Sequence, residues 1–206
     1  MFGARLRAFF NMRDCVSNRG GNGVDGVEKL QFKQRLRRWL LYISVVGASE
    51  CDEATRTVAY RVGSEIARRG HVLVCGGLGG VMDAAAHGSH DAGGTSVGIL
   101  PWEDRSAASR WLTVSIPTDM GHARNALVAL AGDAVIAVSG GYGTLSEIAL
   151  ALKMGKAVVG LGTWPLEPGG RESCGVAKAT GPEEAVQLAE RLGGSSPVHP
   201  PDCGVM

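Results

Sequence analysis

From residue 41 onward, short continuous apolar runs alternate with longer segments whose apolar residues recur every three or four positions. Leu41–Gly47 (LYISVVG) is a buried strand, and residues 52–69 are helical, with Asp52 as N-cap and Gly70 as the stop. Val72–Cys75 is a second strand, and a helix runs from Val81 to about Ala92. Thr95–Leu100 is a third strand closed by Pro101, residues 102–112 form a surface excursion, and Thr113–Ile116 is a short strand. A helix over 121–131 leads to strand Ala134–Val138, and the next helix ends at Met154. Ala157–Leu161 is the last clear strand, residues 165–181 read as a Pro/Gly-rich loop, and Pro182–Leu192 is a terminal helix with Pro182 in its first turn. Strands alternating with helices predict a Rossmann-like, doubly wound α/β domain with a parallel sheet, whose ligands bind beyond the carboxyl ends of the strands.

Two glycine-rich loops follow strands directly, so they share one sheet edge and face one crevice. The first is Gly76-Gly77-Leu78-Gly79-Gly80, leading into Val81-Met82-Asp83. The second is Gly140-Gly141-Tyr142-Gly143-Thr144, with Glu147 one turn further on. Glycines let a ligand approach the backbone, and the N–H groups opening the next helix favour an anion. Either loop read alone is also compatible with a tight turn, and Glu147 with an ordinary first-turn acid or a capping-box partner of Thr144. Neither loop is followed by Gly-Lys-Ser/Thr, and the first strand ends in Gly47-Ala48-Ser49-Glu50 without G-x-G-x-x-G, so NAD is not expected as cofactor. Met120-Gly121-His122-Ala123-Arg124-Asn125 adds a cation near a helix start. Asp83, His87 and Asp91 share a helix face, with His90 adjacent; a metal site would produce that pattern, but a solvated face is the favoured reading and no metal is expected.

Composition narrows the partners. Aromatic residues are 5% of the chain and 31 residues are glycine, a mixture that suits a buried parallel sheet and not a base-stacking nucleic-acid binder. The five cysteines contain no C-x-x-C pair, which disfavours a disulfide framework or a zinc cluster. No apolar run approaches bilayer-spanning length, so a soluble cytoplasmic protein without a membrane partner is expected. Net charge is +1, but residues 1–40 hold nine Lys/Arg against three Asp/Glu. Residues 1–27 read as disordered. Phe32, Leu36, Trp39, Leu40 and Ile43 recur at helical spacing, which fits a helix leading into the first strand, or alternatively a transit peptide or membrane-surface helix, a reading opposed by Asp14, Asp25 and Glu28. The domain plan is a basic extension over 1–40, a Rossmann-like domain over 41–193 and a tail over 194–206.

Residues 41–164 resemble the Lonely-guy superfamily, whose signature is a P-G-G-x-G-T-x-x-E loop preceded by an Arg-Lys pair. Here the loop reads Ser139-Gly140-Gly141-Tyr142-Gly143-Thr144-Leu145-Ser146-Glu147, and the pair reads Arg124-Asn125. These departures, with G-G-L-G-G-V-M, G-H-A-R-N and the continuation Lys153 to Trp164, are similar to the molybdenum-cofactor carrier subgroup. The resemblance implies either of two functions. One is a carrier that holds molybdenum cofactor (molybdopterin) through its phosphate and pterin. The other is a phosphoribohydrolase that cleaves the N-glycosidic bond of a nucleoside 5′-monophosphate, with Arg124 and Glu147 as its catalytic pair. Asn125 and Ser139 favour the carrier, while the intact Arg124 and Glu147 keep the hydrolase open. A nucleotide-sensing assembly protein is a third option. The ligand-binding residues expected are Gly47, Ser49, Gly76, Gly77, Gly79, Gly80, Met82, Arg124, Asn125, Gly140, Gly141, Tyr142, Gly143, Thr144 and Glu147. The resemblance also implies a homo-oligomer, a dimer or a tetramer, with Ala126–Ala131 and Ile148–Leu152 either at an interface or facing the sheet.

Overall fold

The computed structural model describes residues 40–166 and 175–194, so the expectations for residues 1–39 and for the tail beyond 194 fall outside the described residues. Seven strands form one sheet in the order β4-β3-β2-β1-β5-β6-β7, and every adjacent pair is parallel. The strands are β1 (Tyr42–Gly47), β2 (Val72–Cys75), β3 (Thr95–Leu100), β4 (Val114–Pro117), β5 (Ala134–Val138), β6 (Ala157–Leu161) and β7 (Ala177–Lys178). The helices are α1 (Glu53–Arg68), α2 (Val81–Asp91), α3 (Asn125–Ala131), α4 (Tyr142–Lys153) and α5 (Pro182–Gly193). Chain order reverses between β1 and β5, and this is the switch point of a doubly wound sheet.

The central strands are buried on both faces, which is why they read as unbroken apolar runs. On one face Ile43, Val45, Leu73 and Ile136 pack under α1, α2 and α5. On the other, Val46, Val74, Val135 and Ala137 pack under α3 and α4, against Val128, Ala129, Ile148 and Ala151. Of the aliphatic stretches of α3 and α4, Val128, Ala129, Ile148 and Ala151 face the sheet, while Leu130 and Ala149 stand exposed. Buried Ser44 donates its hydroxyl to the carbonyl of Val128 at 2.7 Å, tying α3 to the first strand. Helices α1 and α2 meet backbone to backbone: a Cβ on Gly63 would collide with the Ala85 carbonyl, and one on Gly88 with the Tyr60 carbonyl.

Three elements differ from the sequence reading. The segment expected as one helix over 121–131 opens with a 3-10 turn, Gly121–Arg124, before α3 begins at Asn125. The loop expected over 165–181 contains β7, a two-residue edge strand too short to leave a periodic signal. Helix α4 begins at Tyr142, so Gly143 and Thr144 lie in its first turn, and the N-cap is Gly141. The described body starts and stops at the amino ends of the strands. Leu40 precedes β1, Asp133 exchanges two hydrogen bonds with Tyr42, and Gly193 at the end of α5 lies against Asp133.

Candidate functional site

All strand carboxyl ends lie on one edge, which brings the loops after β1, β2 and β5 together around the switch point. The loop after β2 is packed by its neighbours. Val81 N–H, at the start of α2, donates to the Ala48 carbonyl at 3.0 Å. A Cβ on Gly79 would come within 3.1 Å of the Ser49 carbonyl, and one on Gly80 (φ 61°) would strike Ala48 and Ser49. Gly47 and Gly77 are likewise closely packed, against Val81 and Val138 and against Leu100 and Gly98. In this geometry these glycines serve backbone approach between loops, and the start of α2 is partly spent on the loop after β1.

Gly76 has a different neighbour. A Cβ there would stand 2.6 Å from both terminal nitrogens of Arg124 and 2.7 Å from Sδ of Met82, so a side chain at this position would displace the guanidinium from its place over the β2 loop. Arg124, at the end of the 3-10 turn, is buried, as is Glu147 on α4, and they approach to 3.5 Å between Nη1 and Oε1. Burial raises the Glu147 carboxyl to about 7, against the opposing pull of Arg124. Burial also draws Arg124 below its usual value, opposed by Glu147.

Asn125 completes this arrangement. Arg124 Nη1 donates to Asn125 Oδ1 at 3.1 Å, Asn125 Nδ2 donates to Ser146 Oγ at 3.2 Å, and Ser146 Oγ donates to the Gly143 carbonyl at 2.7 Å. A lysine at 125 would have no acceptor and could not carry this relay. Ser146 escaped the sequence reading because its partner is 21 residues away and no local pattern marks it.

The loop after β5 is open where the β2 loop is closed. Gly141 caps α4 without any side-chain hydrogen bond, and a Cβ on Gly141 or Gly143 would meet no atom of the described residues within 4 Å. Gly140 (φ 112°) lies against the Thr144 side chain, and Tyr142 is 83% exposed. Ser139, which holds the proline position of the signature loop, has φ 51°, a conformation the proline ring cannot adopt. Among the described residues three buried donors near this helix start lack partners: Arg124 Nε, Thr144 Oγ1 and the Nε1 of Trp164, whose ring stacks on Tyr142. No capping box forms, because Thr144 sits in the helix and Glu147 faces Arg124.

The other candidates are exposed or engaged with other partners. His122 is exposed. His87 pairs with Asp91 at 3.3 Å and stacks on Trp111, Asp91 accepts from the Tyr60 hydroxyl, and Asp83 accepts from Ser109. Among the described residues no group of His, Cys, Asp and Glu could hold a metal ion. Cys75, fully buried near Arg124, has its thiol pushed up to about 12 by burial and stays protonated.

A family model described as the SLOG cluster4 family matches residues 40–191. An uncharacterized protein of Archaeoglobus fulgidus is 54% identical over 122 residues, 59% of this chain and 80% of that protein. The cytokinin riboside 5′-monophosphate phosphoribohydrolase LOG of Oryza sativa subsp. japonica is 35% identical over 124 residues, 56% of this chain and 48% of the enzyme. The chain thus spans about half the length of the curated phosphoribohydrolase. Among solved structures, the molybdenum cofactor binding protein of Rippkaea orientalis superposes with TM-score 0.66 at 35% identity, covering 74% of this chain and 96% of that one. The molybdenum cofactor carrier protein of Chlamydomonas reinhardtii superposes with TM-score 0.64 at 34% identity, covering 73% and 96%.

Proposed function

The chain belongs to the SLOG cluster4 family, and from that membership we propose that it is a binding protein for a phosphorylated small molecule, of the molybdenum-cofactor carrier kind. The observation that carries this reading is the pair of unpartnered buried donors, Arg124 Nε and Thr144 Oγ1, beside the uncapped start of α4. An unpaired buried polar atom is costly, and a small turn of the Arg124 and Thr144 side chains would let these donors reach an anion seated at the positive end of the α4 dipole. Gly141 and Gly143 leave the approach open, and Arg124 supplies the charge. The carrier's cargo would rest its phosphate on these groups. Gly76, Met82, Asn125, Gly140, Tyr142 and Glu147 would shape the surroundings, and Gly47, Ser49, Gly77, Gly79 and Gly80 would hold the neighbouring loops.

The alternative is hydrolysis of a nucleoside 5′-monophosphate, and the buried Arg124–Glu147 pair is what favours it. A carboxylate near a ribose would stabilise the developing oxocarbenium charge, and Arg124 would orient the nucleotide. The departure of Arg-Lys to Arg124-Asn125 and the left-handed Ser139 favour the carrier. Incubation of the protein with AMP separates the two: no release of adenine is expected, and release that depends on Glu147 would establish the hydrolase. Small molecules freed from the purified protein should include a phosphorylated pterin by mass spectrometry.

The finer expectations are proposals too: a cytoplasmic homo-oligomer, dimer or tetramer, that uses neither NAD nor nucleic acid. No helix among the described residues is long and apolar enough to cross a membrane. Exposed Leu130 on α3, and Val114 and Ile116 on the edge strand β4, are apolar surface that a second copy would cover. Light scattering of the purified protein measures the assembly.

A further inference from the structure

A cavity of about 340 Å³ lies on the other side of the β5 loop from Arg124, between the starts of α1 and α5. Its walls are Ala54 and Val58 of α1, Val138 at the end of β5 with Ser139 after it, Leu161 at the end of β6, and Pro182. The volume is that of a small-molecule site.

Charge decides what it can hold. Among the described residues no Lys, Arg or His lines the cavity. The helix starts beside it already carry carboxylates: Asp52 Oδ1 accepts from Thr55 N–H at 2.8 Å, and Glu184 Oε2 accepts from both the Thr180 N–H (2.8 Å) and the Thr180 hydroxyl (2.6 Å). Glu53 and Glu183 add acids in the first turns of α1 and α5, each facing an arginine of α1, Arg56 at 3.8 Å and Arg61 at 2.7 Å. A phosphate would find its positions at these helix ends taken by Asp52 and Glu184. An uncharged molecule would find aliphatic walls together with the hydroxyls of Thr55 and Ser139. Ser139 matters here because the signature loop has proline at this position. Its left-handed backbone is held by Ser139 N–H donating to the Leu161 carbonyl at 2.9 Å and by the Thr163 hydroxyl donating to the Ser139 carbonyl at 2.6 Å.

We propose that the cavity between the starts of α1 and α5, floored by Ser139, is a second binding site that takes an uncharged heterocycle of nucleobase size with a hydrogen-bonding edge. It is separate from the anion-binding start of α4 and does not depend on the carrier reading. A nucleobase-like ring has the required shape, two flat apolar faces and a donor–acceptor rim.

The test is a titration of the full chain followed by amide chemical shifts, with adenine as the uncharged probe and inorganic phosphate as the anion. Adenine should shift the amides of Val58, Ser139, Gly162 and Gly181 saturably, and phosphate those of Gly141 and Gly143. Ala54→Phe, at an exposed helical position, fills the cavity mouth and should abolish the adenine shifts while leaving the phosphate shifts in place. Val58→Phe is a second filling variant with the same expectation, and an intact phosphate response reports that either variant is folded. The proposal is overturned if adenine produces no saturable shifts at these amides. It is equally overturned if the shifts survive both filling variants, or if phosphate moves the same amides.

Discussion

Glu147 carries the sharpest consequences of any single residue. Its carboxyl is raised from 4.5 to about 7 by burial. The folded chain therefore holds a proton that the unfolded chain has released between those values, and stability falls as pH rises through this window. Glu147→Gln has no such proton to lose. Melting temperatures from pH 4.5 to 8 should decline for the wild type over the interval up to about 7 and decline less for the variant; identical slopes would mean Glu147 is not buried as described. The same substitution bears on function. If the protein turns over a nucleotide, loss of the carboxylate should lower the rate roughly a hundredfold, about 2.7 kcal/mol. If it carries its ligand unchanged, affinity alone should shift, and modestly. Asn125 is the other informative residue. Asn125→Ala removes the link from Arg124 to Ser146 and Gly143. Loss of that positioning should weaken binding of a phosphorylated ligand about tenfold, roughly 1.4 kcal/mol, in a calorimetric titration.

At the scale of the element, the loop after β5 and the first turn of α4 set the terms. A Cβ at Gly141 or Gly143 meets no atom of the described residues within 4 Å, so either valine variant should melt close to the wild type. The added carbons would occupy the anion's approach, and stabilisation by a phosphorylated ligand should vanish. A large drop in the melting temperature of the unliganded variant would show that these glycines serve the fold instead. Ser139 gives the opposite pairing of effects. Proline there requires a φ near −65° where the chain has 51°, and it deletes the N–H bond to Leu161. Ser139→Pro should cost about 3 kcal/mol or more in urea denaturation, while Ser139→Gly should be neutral or stabilising. Much of this architecture was legible beforehand. The spans of β2, β3, β5 and β6 followed from apolar runs bounded by glycine or proline, because a parallel sheet buries both faces. The glycine clusters placed the loops on one edge. What local pattern could not carry was any feature set by distant partners. The tight seating of Gly80 against Ala48, the Asn125–Ser146 link and the left-handed Ser139 all arise from chain segments brought together only by folding. The two-residue β7 was lost for a simpler reason, since it is shorter than one period of any pattern.

For the whole molecule, the described body begins at Leu40 and buries Leu41 against β2, where its N–H donates to His71 Nδ1 at 3.3 Å. The family match also begins at residue 40. A shortened chain starting at Leu40 should therefore fold and melt within a few degrees of the full chain by calorimetry. Insolubility of the shortened chain would assign residues 1–39 a part in covering the exposed Leu40 and Tyr42. The exits of this body have a practical corollary. Leu40 and Gly194 both leave at the amino ends of the strands, whereas every loop of the crevice lies at the carboxyl ends. A tether fused to either exit would hold the protein to a sensor chip with its crevice turned toward the flowing sample. Fluorescent proteins joined at both exits would report on each other's distance without crowding the ligand.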